Sequence, residues 1–389
     1  MKKLFWIRSL MIASLAWVFV FCLLVTALPG MRASALSAKD VTAPSAILME
    51  PVSGKVLFEK NADEKRACAS ITKVMTLLLT MEALEQGKLS LDETLTASEH
   101  AASMGGSDIW LKPGEEMTVD DLIKATVIMS ANDAAVVLAE RIAGSEDSFV
   151  EQMNRRAKEL SMTNTTFKNC NGLDEEGHLT TARDVAIMSA ELLRHPKIRD
   201  YTTIWMDTVR GGETQLVNTN KLLKSSNGIT GLKTGTTSQA GSCISATAER
   251  DGMQLVAVVL GCDTTQHRFS DAAALLNFGY GNWTVVTPET PELPKLSVVN
   301  GLEQEVSVKA VLPESILTEK GVSSELKTET ELPESVEAPV EKGQKLGKVM
   351  FLTQDGKKLS ETEIVADASV GQLDYGACLS RLFRCLLMI

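Results

Sequence analysis

Two strings in the second half of the chain, Ser242-Cys243-Ile244-Ser245-Ala246-Thr247-Ala248 and Met253-Gln254-Leu255-Val256-Ala257-Val258-Val259-Leu260, decide the fold. Both read as strands, and the tight turn between them runs through Asp251-Gly252, residue types that accept the backbone angles a short hairpin demands. A third strand signal, Gly228 to Thr237, precedes them, and a closing helix, Ser270 to Phe278, follows. Far upstream, Ser45 to Glu50 and Lys55 to Glu59 flank a Pro51 to Gly54 turn and form a second hairpin. The stretch between these strands is helical. It contains Ser70 to about Gln86 with Gly87 as a stop, a Thr118-Val119-Asp120-Asp121 cap before Leu122 to Met129, Asp133 to Ala143 closed by Gly144, and Phe149 to Leu160 entered through Ser145. Strands at both ends of a helical region imply an α/β domain, about residues 40–283, in which the terminal segments share one antiparallel sheet covered by helices on its faces.

Composition shifts after this region. Residues 284–300 carry Pro288, Pro291 and Pro294, and Glu303 to Glu341 hold ten Glu against three Lys. Short Val-rich stretches alternate with turn residues, so residues 284–369 are expected to form a small β-rich domain rather than a disordered tail. In residues 370–389, Leu379, Leu382, Phe383, Leu386 and Leu387 recur at helical spacing, with Ser380, Arg381 and Arg384 on the other side. A helix this short cannot cross a bilayer but can lie in its interface, and the expected partner is a membrane surface; docking on its own domain is the alternative.

At the other end, Lys2, Lys3 and Arg8 precede an apolar run from Leu10 to Leu28 and then Ala33-Ser34-Ala35. Residues 1–35 read as a signal peptide, with an uncleaved anchor as the alternative. Either way the body is exported. Losing residues 1–35 removes four cations (Lys2, Lys3, Arg8, Arg32) and no acid, which takes the formal charge from −11 to −15. So acidic a body repels phosphate backbones, and nucleic acid is excluded as a partner. The six cysteines of the body, Cys68, Cys170, Cys243, Cys262, Cys378 and Cys385, are scattered with neither C-x-x-C nor metal spacing, so most are expected to be buried apolar residues. A single bridge stays open. His100, His178, His195 and His267 show no metal spacing either, and no metal or cofactor is called for.

Ser70 and Lys73, three apart where a helix begins, share one face. A lysine there becomes a base if burial and neighbouring cations strip its proton near neutral pH, while the helix start offers backbone N–H groups beside the serine. Alone, Ser-x-x-Lys is weak, and Ser324-Glu325-Leu326-Lys327 matches it by chance. The order of the set gives it weight: Ser130-Ala131-Asn132 falls between two helices, and Lys233-Thr234-Gly235 lies on a strand downstream. A second match, Ser225-Ser226-Asn227, falls in a loop and is set aside.

With these triplets, Asn220-Lys221-Leu222-Leu223, Thr181-Ala182-Arg183-Asp184, and Ala338-Pro339-Val340 followed by Gly343-Gln344, the chain resembles the low-molecular-mass penicillin-binding proteins, serine D-alanyl-D-alanine carboxypeptidases of peptidase family S11. The resemblance covers nearly the whole chain. It implies a β-lactamase/transpeptidase-like catalytic domain, peptidoglycan pentapeptide as substrate, β-lactams as inhibitors, and a place on the outer face of the cytoplasmic membrane, held peripherally. By position it makes Ser70 the nucleophile, Lys73 its base and Ser130 the proton relay. Asn132 would hold the peptide, and Lys233, Thr234, Gly235, Thr236 and Arg268 the terminal carboxylate side, with the Ser70 and Thr236 N–H groups as the oxyanion hole. Some relatives carry His where this chain has Thr236. Bland readings stand beside these: Lys73 as a surface lysine, Ser130-Ala131-Asn132 as a helix break, Arg268 as a surface ion pair. Rival functions are a serine β-lactamase, against which the missing Glu-x-x-Leu-Asn segment counts, a D,D-endopeptidase acting on cross-links, and a non-enzymatic cell-wall binding protein.

Overall fold

In the computed structural model, which describes residues 36–321 and 325–387, the upstream hairpin is formed by β1 (Ser45–Glu50) and β2 (Lys55–Lys60). The downstream strands are β3 (Ile229–Thr237), β4 (Gly241–Arg250) and β5 (Met253–Cys262). All five make one antiparallel sheet in the order β2-β1-β5-β4-β3. β1 pairs with β5 from Ser45 opposite Leu260 to Met49 opposite Val256, so both ends of the first region do share a sheet. The expected leader, residues 1–35, lies outside the described residues.

Successive side chains of a strand point to opposite faces, and here both faces are covered. Ile47, Met49, Val256, Val258 and Leu260 join a core with Leu77 and Leu78 of α1 (Lys73–Glu85), Val136 of α2 (Asn132–Ala143) and Val185 of α3 (Ala182–Leu193). On the other face Leu48 and Leu255 meet α4 (Thr265–Asn282). That is why β5 reads as an unbroken apolar run rather than an alternating one.

The closing helix is longer than Ser270 to Phe278. Thr264 caps it by accepting from the His267 N–H, and its polar first turn, Gln266-His267-Arg268, hides the start. Gly279, inside the helix, is a point of close approach: a Cβ there would stand 2.5 Å from Leu255 Cδ1 and 3.0 Å from Leu48 Cδ2.

From Trp283 onward the chain is β-rich. Trp283–Val286 pairs with Ile316–Glu319. A three-stranded sheet (Glu305–Val306, Leu296–Val299, Ser335–Glu337) and a four-stranded one (Val308–Ala310, Lys358–Ala366, Lys345–Leu352, Lys327–Glu331) enclose small cores around Val298, Val340 and Val370 and around Ile316, Val349, Phe351 and Ile364. Residues 370–373 remain stitched to this part: Val370 and Val340 exchange backbone hydrogen bonds of 2.8 and 2.9 Å, and the Leu373 N–H donates to the Asn300 carbonyl at 2.7 Å. The last helix, α5 (Tyr375–Leu387), leaves Leu379, Leu382 and Phe383 exposed. Among the described residues no helix is long and apolar enough to cross a membrane.

Candidate active site

Ser70 stands in a tight turn, Ala69–Thr72, that runs into α1, with Ala69 at φ +51°. The Thr72 hydroxyl donates to the Ala69 carbonyl at 2.9 Å and lies 2.8 Å from His178 Nε2, which pins the turn from below. Burial holds the His178 imidazole down to about 4, so it is neutral at ordinary pH. On the other side β3 presses against the same turn at Gly235, where a Cβ would lie 2.8 Å from the Ser70 nitrogen and 2.9 Å from the Cys68 carbonyl oxygen. Only glycine lets the strand that carries Thr236 come this near the Ser70 N–H.

Lys73 is the first residue of α1 and is completely buried, not a surface lysine. Its Nζ lies 3.0 Å from Ser70 Oγ, 2.5 Å from Asn132 Oδ1 and 2.7 Å from the Asn171 carbonyl oxygen. Burial brings its pKa down to about 7, an effect opposed in part by the carboxylates of Asp108 and Asp133.

The helix expected to run to Met129 does so only after widening into a π turn over Ala125–Met129, and Ser130 follows at φ +64°. A widened turn and a left-handed serine are the kind of local irregularity that functional positions keep. Ser130-Ala131-Asn132 is thus a helix break, but its side chains are engaged elsewhere. Asn132 Nδ2 donates to the Gly105 carbonyl at 2.6 Å, which turns Oδ1 toward Lys73. Ser130 Oγ accepts from Lys233 Nζ at 2.8 Å, and the same Nζ donates to the Thr234 carbonyl at 2.8 Å. Lys233 is buried, and burial together with the charges of Lys73 and Arg268 holds its pKa well below that of an ordinary lysine.

Arg268, on the first turn of α4, is also buried. Its Nη1 donates to the Gly235 carbonyl (3.1 Å), Thr236 Oγ1 (2.9 Å) and the Cys243 carbonyl (3.4 Å), while its buried Nε has no partner. No carboxylate pairs with it among the described residues, so the surface ion-pair reading fails. Ser70, Lys73 and Asn132 therefore form one cluster, and Ser130, Lys233 and Thr234 a second, with Gly235, Thr236 and Arg268 behind them.

Comparison with known proteins bears on what this arrangement is. Residues 32–264 match the family model described as D-alanyl-D-alanine carboxypeptidase, and residues 290–372 match the C-terminal domain of penicillin-binding protein 5. The chain belongs to the D-alanyl-D-alanine carboxypeptidase family. Among similar relatives, the carboxypeptidase DacF of Bacillus subtilis is 41% identical over 90% of this chain and 91% of its own length. DacC of Escherichia coli is 37% identical over 86% of each. Penicillin binding protein 5 from Haemophilus influenzae superposes with a TM-score of 0.77 at 32% identity, covering 87% of this chain and all of that one. Penicillin-binding protein D2 from Listeria monocytogenes, solved in an ampicillin-bound form, covers 62% of this chain and 98% of its own at a TM-score of 0.57 and 36% identity. The transpeptidase-like sheet with its helices and the β-rich C-terminal domain are common ground with these carboxypeptidases.

Three participants in this carboxypeptidase's site escape a reading of residue types. One is the Asn171 carbonyl, since a backbone acceptor leaves no trace in sequence. Another is Gly172, where a Cβ would fall 2.0 Å from the Ala69 carbonyl oxygen. The third is Thr219, whose hydroxyl accepts from Thr234 Oγ1 at 2.6 Å while its N–H donates to Ile128 in the π turn at 3.1 Å. Cys68, Cys170, Cys243 and Cys262 are buried and unbridged, and Cys378 is exposed and unbridged.

Proposed function

We propose that this chain removes the terminal D-alanine from peptidoglycan pentapeptide stems through an acyl-Ser70 intermediate, with Lys73 as base and Ser130 as proton relay. The observation that carries the reading is the set of partners around Lys73. Two of the three, Asn132 Oδ1 and the Asn171 carbonyl, can only accept hydrogen bonds; Ser70 alone can also donate. A neutral amine satisfies both acceptors with its two hydrogens, and its lone pair is then left facing the Ser70 hydroxyl. A pKa of about 7 makes that neutral form plentiful at working pH.

The remaining steps follow the same logic. Ser70 Oγ attacks the carbonyl between the two D-alanines while Lys73 takes its proton. The oxyanion meets the N–H groups of Ser70 and Thr236. Ser130 passes a proton to the leaving amine, and the Lys233 charge beside it stabilises the hydroxyl as it turns toward an alkoxide. Lys233, Thr234 and Arg268 give the terminal carboxylate a cationic end of the cleft. Water then releases the acyl group. Release is read as slow, because the Glu-x-x-Leu-Asn segment that carries the deacylating glutamate of class A β-lactamases is missing. A slow deacylation of this kind would let β-lactams trap the enzyme.

The body would work outside the cytoplasmic membrane, exported by residues 1–35 and held on the surface by α5. Incubating the purified protein with labelled penicillin and the pentapeptide tests the reading. One D-alanine released per peptide, a stoichiometric label that lasts many minutes, and loss of both in Ser70→Ala are expected. Absence of label would sink the enzyme reading, and fast turnover of the antibiotic would favour a β-lactamase.

A further inference from the structure

Trp110 is the most exposed tryptophan among the described residues, with 72% of its surface open, and its backbone sits at φ +55°. A bulky residue in that region is an outlier that persists only where its surroundings fix it. Here the fixing group is Asp133, whose carboxylate accepts from the Ile109 N–H at 3.2 Å and the Leu111 N–H at 3.0 Å. Ile109 and Leu111 are themselves buried in the core. The three-residue loop is thus clamped at both ends so that the residue between them points outward, and the clamp is the neighbour of Asn132.

Beside Trp110 lies a broad surface cavity, open to solvent, bordered by Trp110, Lys112, Arg210, Glu213 and Gln215. One wall is the 105–115 segment, which also supplies the Gly105 and Ser107 carbonyls that hold Asn132. The other is the hairpin Met206–Val209 and Thr214–Val217, which leads directly to Thr219, the partner of Thr234. Arg210 bolts the walls together by donating to the Ile109 carbonyl at 2.9 Å and to Glu115 at 2.6 Å. Both walls therefore continue into opposite sides of the proposed cleft.

We propose that this cavity binds a hexosamine ring of the glycan strand, with Trp110 as its platform. An aromatic face ringed by amide, guanidinium and carboxylate groups suits a sugar ring, which offers an apolar C–H face and a rim of hydroxyl and acetamide groups. Four stem residues separate the reacting carbonyl from the sugar and span about 14 Å when extended, so the sugar is held on a surface set apart from Ser70. Trp110 is tied to the cleft through Asp133, the chain neighbour of Asn132.

This inference rests on the carboxypeptidase reading, and its test separates the two. Cleavage of a soluble pentapeptide is compared with cleavage of the same pentapeptide on an N-acetylglucosaminyl-N-acetylmuramyl disaccharide. Trp110→Ala should raise KM for the disaccharide substrate about fivefold or more, the worth of one lost stacking contact, with the bare peptide and penicillin labelling unchanged and Trp110→Phe close to wild type. Equal losses on both substrates, or no loss on either, would overturn it. Should wild type cleave neither, calorimetry of the disaccharide with Ser70→Ala still decides: heat of binding that disappears in the Ser70→Ala, Trp110→Ala double variant supports the platform, and no heat removes it.

Discussion

Lys73 Nζ lies 3.0 Å from Ser70 Oγ in a buried position where its other hydrogen-bond partners among the described residues are Asn132 Oδ1 and the Asn171 carbonyl. Burial is the leading cause that brings its pKa to about 7. For a base the sign is simple: protonated Lys73 cannot accept the Ser70 proton, so acylation by penicillin should rise about tenfold per pH unit below 7 and level off above it. Stopped-flow labelling from pH 5 to 9 measures this. A profile flat through pH 7 would mean that Lys73 is not the group whose proton controls attack.

Three glycine-to-alanine changes separate packing from catalysis. At Gly172 the new methyl would fall 2.0 Å from the Ala69 carbonyl with the backbone at φ +89°, and the folded state should lose more than about 3 kcal/mol. At Gly235 the clash is with the Ser70 nitrogen at 2.8 Å and no positive φ is involved. Stability should fall by about 1–3 kcal/mol, while acylation drops on the order of 100-fold if the Ser70 and Thr236 N–H groups, the proposed oxyanion donors, move apart. Gly144, at φ +87° with open space around it, should cost only about 1 kcal/mol and leave activity alone. Denaturant melts and penicillin labelling of the three variants give the order; a Gly235→Ala protein with normal acylation would contradict the close approach of β3 to Ser70.

Arg268 joins the ends of β3 and β4 through the Gly235 and Cys243 carbonyls and also orients the Thr236 hydroxyl. Arg268→Gln should lower kcat/KM on a D-Ala-D-Ala peptide by about 10- to 100-fold, mostly through KM, because the variant removes a buried cation from what is proposed as the carboxylate end. The same variant should act almost normally on penicillin whose carboxylate is esterified. Equal loss on both would assign Arg268 to the architecture alone.

How much of this was legible follows from what each residue contributes. The sheet could be read because its strands are bounded by turn residues and because two hairpins at opposite ends need a common partner. Ser70, Lys73, Ser130, Asn132 and Lys233 could be read because side-chain chemistry at fixed order is a residue-type signal. Asn171 could not, since its carbonyl is what matters, and any residue has one. The full length of the closing helix could not, since its first turn is polar and Gly279, within it, is there to admit Leu255 and Leu48. The left-handed backbone of Ser130 and Trp110 leaves no trace in residue type: Ser130 follows the π turn, and Trp110 lies between the two N–H groups that Asp133 accepts from.

The boundary between the β-rich part and the terminal helix yields a test of attachment. Val370 is buried and exchanges two hydrogen bonds with Val340, and Leu373 bonds to Asn300, whereas α5 starts only at Tyr375 and exposes Leu379, Leu382 and Phe383. An amphipathic helix with such an apolar face partitions into a bilayer interface. A protein spanning residues 36–374 should therefore lose co-sedimentation with anionic phosphatidylglycerol vesicles that residues 36–389 show, and keep both its melting temperature and its activity on a soluble peptide. Ending the chain at Ser369 removes more: a buried valine, worth about 1.5–3 kcal/mol, and the hydrogen bonds to Val340 and Asn300 beside the three-stranded sheet. That shorter protein should also leave the vesicles, but with its β-rich part melting earlier. Vesicle binding undiminished in residues 36–374 would show that α5 is not the anchor, and an unchanged melt in residues 36–369 would show that residues 370–373 are not part of the domain.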